Sequence, residues 1–77
     1  MITYSIEFQR KPTSAQIAKV LRDARDAGHT ESEVMRGEAG YCFRFDGREW
    51  AFSYAPGGGH TITHAMVMKA LTLVNAK

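Results

Sequence analysis

Residues 40–55 read GYCFRFDGREWAFSYA, two runs of alternating apolar and polar residues on either side of Asp46-Gly47. Period-two alternation is the pattern of a strand with one buried face, and Asp-Gly between two such runs is the sequence of a two-residue type I′ turn. Such a turn pairs Phe45 with Arg48, Arg44 with Glu49, Phe43 with Trp50, Cys42 with Ala51 and Tyr41 with Phe52. It gathers Tyr41, Phe43, Phe45, Trp50, Phe52 and Tyr54 on one face, and Cys42, Arg44, Glu49, Ala51 and Ser53 on the other. Aromatic side chains then meet one another on the inner face, and the oppositely charged Arg44 and Glu49 meet on the outer one. A chain with this hairpin must cover an aromatic sheet face, and the rest of the sequence has to supply the cover.

Two amphipathic helices do so. ITYSIEF, residues 2–8, alternates Ile2, Tyr4, Ile6 and Phe8 with Thr3, Ser5 and Glu7 and reads as a first strand, ended by Arg10, Lys11 and Pro12. Thr13 followed by Gln16 has the spacing of a capping box. Behind it Ile17, Val20, Leu21 and Ala24 form an apolar stripe, Lys19/Asp23 and Arg22/Asp26 pair on the opposite side, and Gly28 supplies a left-handed stop. HTESEVMRG, residues 29–37, reads as a polar edge strand anchored by Val34 or Met35. After Pro56 and three glycines, Thr63 is placed as the N-cap of a last helix, with Ile62 and Val67 as its hydrophobic staple. Met66, Val67, Ala70, Leu71, Leu73 and Val74 make its apolar stripe, outside which Met68 and Lys69 fall. The expected architecture is α+β: a two-layer sandwich of order β-α-β-β-β-α, with an antiparallel sheet carrying both helices on its aromatic face.

Length and charge set the outer bounds. Seventy-seven residues make one domain, and a chain of this size has room for one core layer. Ten Lys and Arg against eight Asp and Glu give +2, too balanced to argue from net charge alone for nucleic acid or for an acidic mimic of it. A single cysteine, Cys42, cannot form an intrachain disulfide, which fits a reducing compartment and a cytoplasmic protein. No run approaches the roughly 20 apolar residues of a membrane span, so no membrane partner is expected.

The segment APGGGHTITHAMVMKAL, residues 55–71, is where chemistry would sit. A glycine-rich loop before a helix can cradle phosphate, but the Lys-Ser/Thr that completes a P-loop is missing. His60 and His64 stand four residues apart, yet zinc requires three or four ligands, and neither His29 nor Cys42 has motif spacing to the pair. The two imidazoles would also suit metal-free acid-base chemistry, one taking a proton and the other giving one. Each residue also has a local structural use as turn, cap or exposed first-turn position. The expectation is therefore no cofactor, no metal and no catalytic residue, and a chain that leans away from enzymatic function.

From residue 13 onward the order helix, three strands, helix resembles the double-stranded-RNA-binding type of fold, which carries a lysine cluster at the start of its last helix. Here that position reads HTITHAM. YAPGGGHTITHAMVMKALTLV is similar to the tail of HicA-type toxins, an RNA-cleaving variant of that fold. GYCFRF holds no histidine where that family's catalytic one falls, so the resemblance implies the fold and not the activity. In size and lack of cofactor signals the chain also resembles phage-encoded inhibitors such as anti-CRISPR proteins, which cover a surface of a large effector.

These resemblances imply a non-enzymatic binding protein whose partner is a protein or ribonucleoprotein effector complex. The second choice is a HicA-like or double-stranded-RNA-binding-like module that touches RNA directly, with or without cleavage by His60 and His64 as in a ribonuclease toxin. The protein itself would be a monomer or a weak dimer. The expected contact surface joins Arg44, Arg48 and Glu49 of the hairpin to His60, His64 and Met68 of the last helix. Glu31 and Glu33, with Glu38, would add acidic contacts to a basic groove.

Overall fold

The alternation at the start of the chain becomes β1 (Thr3–Glu7), with Tyr4 and Ile6 half-buried and Thr3, Ser5 and Glu7 exposed. The computed structural model describes residues 3–36, 39–54 and 62–76. Beyond β1, α1 spans Ser14–Asp26, β2 Glu31–Arg36, β3 Ala39–Phe45, β4 Trp50–Tyr54 and α2 His64–Asn75, which is the expected element order.

Both helices start on the caps that the sequence marks. Thr13 Oγ1 accepts from the Gln16 N–H at 3.1 Å, and Gln16 Oε1 accepts from the Thr13 N–H at 2.8 Å, so the capping box is complete. Thr63 Oγ1 likewise accepts from the Met66 N–H at 3.2 Å. Helix α1 ends in a Schellman motif: the Gly28 N–H reaches the Arg25 carbonyl at 3.0 Å and the His29 N–H reaches Ala24 at 2.9 Å. Gly28 holds φ +87° there, a conformation that side-chain-bearing residues rarely adopt. Of the two ion pairs expected along α1, Lys19–Asp23 forms at 2.9 Å, whereas Asp26 lies 3.7 Å from Arg25 and not on Arg22.

Strand order in the sheet is β1-β2-β3-β4. Two expectations are corrected here. The sheet is mixed and not antiparallel throughout, because β1 pairs parallel with β2 (Thr3 with Glu31, Glu7 with Met35) while the other pairs are antiparallel. Segment β2 is consequently an inner strand and not an edge. Parallel neighbours need a crossover of a dozen or more residues, and α1 provides one, returning the chain beside β1. The polarity of β2 comes from its outward positions, Glu31 and Glu33, whereas Ser32 and Val34 point inward and are buried.

The hairpin keeps its two faces but changes register. Its loop has four residues, 46–49, and Phe45 pairs with Trp50, Arg44 with Ala51 and Phe43 with Phe52. Asp46 is the reason: its Oδ1 accepts from the Arg48 N–H at 2.8 Å and from the Glu49 N–H at 3.0 Å, and Gly47 takes φ +98°. An Asx-type turn therefore replaces the tighter type I′ turn. From Phe45 to Phe43 the shift is an even number of residues, so the side chains paired there stay on their expected faces. A β-bulge between Cys42 and Phe43 then pairs Cys42 with Tyr54.

The inner sheet face and both helices share one core. Ile17, Leu21, Ala24, Val34, Phe43, Ile62, Val67 and Ala70 are completely buried, and Trp50 nearly so. Burial of Ile62 and Val67 matches the staple positions. Leu73 departs from its predicted stripe and is 41% exposed. The Ser14 hydroxyl donates to the Met66 carbonyl at 3.3 Å and ties the first turns of the two helices together.

Candidate functional site

The residues expected to form one contact surface lie on two. Glu31, Glu33 and Arg44 stand on the sheet face opposite the core, which no helix covers among the described residues. Register sets Glu31 between Thr3 and Arg44, and Glu33 between Ser5 and Cys42. Together with Ser53 they rim a shallow hollow of about 310 Å³. Among the described residues the ion pairs are those on α1, so neither glutamate nor Arg44 is engaged in one. Glu7, at the outward end of β1, belongs to the same face and was missed as a site residue. The alternation that marked β1 as a strand contained that signal. Among the described residues the open face thus carries three carboxylates against one guanidinium, with Cys42 half-buried among them.

The second group flanks the outer strand β4. Glu49 was expected opposite Arg44, but the longer turn moves it into the loop, and Arg44 faces Glu31 and Ala51 instead. Glu49 and Met68, the latter 46% exposed, line a groove of about 350 Å³ between β4 and α2 whose floor is Trp50, Phe52 and Leu71. Arg48 stands with Glu49 and Asp46 at the mouth of this flank, next to Asn75. The backbone amides of Glu49 and Arg48 hold the Asp46 carboxyl below the usual carboxylate range. That support of the loop is complete above the ordinary carboxylate pKa and is lost as pH falls through the lowered value.

His64 opens α2, exposed, with its ring edge-on to Phe52 at 5.4 Å between centroids. His60 and the glycine turn, residues 55–61, lie outside the described residues, as does Glu38. His29 packs its ring on Tyr4 at 5.3 Å, and its Nδ1 is buried without a hydrogen-bond partner among the described residues. Among those residues no group of three or more His, Cys, Asp or Glu side chains is placed to hold a metal ion.

Asn75 was not singled out from the sequence. Its side-chain amide makes two bonds to one residue, accepting from the Trp50 N–H and donating to the Trp50 carbonyl, both at 2.9 Å. An asparagine at a helix end reads as a capping residue, and no sequence pattern shows that it reaches across to a strand.

None of the described helices is long and apolar enough to cross a membrane. The chain matches no protein-family model, no curated protein and no solved structure.

Proposed function

We propose that this protein is a small non-enzymatic binding module that lays its open sheet face on the basic surface of a nucleic-acid-handling effector complex, an inhibitor of the anti-CRISPR-like kind. The observation that carries this reading is the gathering of Glu7, Glu31 and Glu33 on adjacent strands of one face, with Arg44 as its single cation among the described residues. An acidic face complements a groove built to hold phosphates, and charge complementarity of this sort governs encounter rate and partner choice. The reading is cytoplasmic, in keeping with the lone Cys42.

Direct RNA binding in the manner of the double-stranded-RNA-binding or HicA-like fold remains the alternative, supported by the run of α1, three antiparallel strands and α2. Its cations are dispersed: Arg44 on the open face, Arg48 in the hairpin loop and Lys69 on the exposed side of α2. A phosphate-tracking surface gathers such groups together, which favours the protein partner.

Affinity capture with the wild type and with Glu31→Lys/Glu33→Lys, each with and without nuclease, tests the choice. A protein complex that withstands nuclease and is lost with the double reversal supports the inhibitor reading. Nucleic acid recovered alone, retained or strengthened by the reversal, rules it out.

A further inference from the structure

Among the described residues β4 is an outer strand of the sheet, with β3 on one side and no strand on the other. In an antiparallel ladder, successive residues alternate between turning their N–H and C=O toward the partner strand and turning them outward. Trp50 turns them outward, where the Asn75 carboxamide meets both at 2.9 Å. Ala51, in register with Arg44, turns inward, and Phe52 turns outward again. The Asn75 side chain thus presents to Trp50 the donor and the acceptor that the backbone of a further strand would present. The sequence of β4, Trp-Ala-Phe-Ser-Tyr, contains neither the charges nor the proline with which edge strands discourage pairing.

We propose that the Asn75 carboxamide is a stopper that keeps β4 from pairing with β4 of a second copy of this chain. The pairing it prevents has a definite register. A two-fold axis through Ala51 sets Trp50 opposite Phe52 of the copy and Phe52 opposite Trp50 of the copy, so the outward groups of both residues find partners. Ala51, small and exposed, meets its own equivalent on the axis. Because β4 is uncharged, no like charges oppose one another within the paired strands. On the inner side the register forms two Trp-Phe cross-strand pairs next to the exposed Met68. While Asn75 is in place, the Trp50 half of this ladder is filled from within the chain. Without it, the polar groups of a nearly buried residue seek another partner, and the second copy offers one in the correct geometry.

Asn75→Ala removes both bonds and is tested by sedimentation velocity over a wide concentration range. Its self-association should be tighter than that of the wild type by about tenfold or more, the scale of one net hydrogen bond. Adding Ala51→Lys places two ammonium groups on the axis and should restore wild-type behaviour. A folded Asn75→Ala that associates no more than the wild type overturns the proposal, as does association that survives Ala51→Lys. Should Asn75→Ala fail to fold, native-state hydrogen exchange of the wild type decides. Protection at the Trp50 amide with free exchange at Phe52 supports the stopper. Free exchange at Trp50, or protection at Phe52 that grows with protein concentration, overturns it.

Discussion

The two faces of the sheet are made of the same strands and bear opposite burdens. On the inner face Val34 and Phe43 are fully buried and Trp50 is nearly so, all packed under α1 and α2. On the outer face Thr3, Glu7, Arg44, Ala51 and Ser53 are exposed, and Glu31 and Glu33 are half-buried. Stability should therefore be concentrated on one side and binding on the other. Substitutions that respect or violate that division measure how complete it is.

The largest effect is expected inside. Phe43→Ala removes a fully buried ring and should destabilise by about 3–5 kcal/mol in urea unfolding, a large share of the stability of a small domain. Gly40→Ala tests the division from the outer side, because Gly40 pairs with Met35 and is buried. A methyl group there would lie 2.9 Å from both the Val34 carbonyl oxygen and Met35 Cγ. The expected loss is about 1–3 kcal/mol, and Met35→Ala in the same background should recover only part of it, since the carbonyl cannot move aside. Ser32→Ala tests the inner side: Ser32 is 1% exposed and its hydroxyl has no partner among the described residues. Removing that hydroxyl should stabilise by about 1 kcal/mol, and a loss of stability instead would show that the group is paired. Smallest of all, Glu33→Lys should change stability by less than about 0.5 kcal/mol while impairing partner capture. A large drop in its unfolding midpoint would show that the outer face shares the structural burden.

Legibility in the sequence followed the range of the interactions involved. The caps at Thr13 and Thr63, the left-handed Gly28 and both faces of the hairpin were readable because each depends on residues a few positions apart. Register was less readable, since a side chain at the turn, Asp46, outcompeted the tighter backbone turn that Asp-Gly suggests. The place of β2 was hidden for a different reason. Glu31 and Glu33 suggested an edge, but their polarity records that one face is open, not that one side is unpaired. The strand-helix-strand order at the start of the chain did contain the clue to a parallel pair. Of the site, the outward residues Glu31, Glu33 and Arg44 could be read from alternation. Asn75 could not, because its partner lies twenty-five positions away on another element.

The mixed sheet also implies a schedule. Phe45 and Trp50 meet across a four-residue loop, whereas Thr3 meets Glu31 only after the whole of α1 has been laid down between them. Loop-closure entropy makes the second encounter more costly by roughly 1.5 kcal/mol before any side chain packs. Strand β1, half-buried only at Tyr4 and Ile6 and, among the described residues, paired on a single side, has less to offset that difference. We therefore expect β1 to dock last as the chain folds and to detach first in the native state. Amide exchange at Ile6 should accordingly run well ahead of exchange at Phe43, and equal rates would mean that the four strands open as one unit.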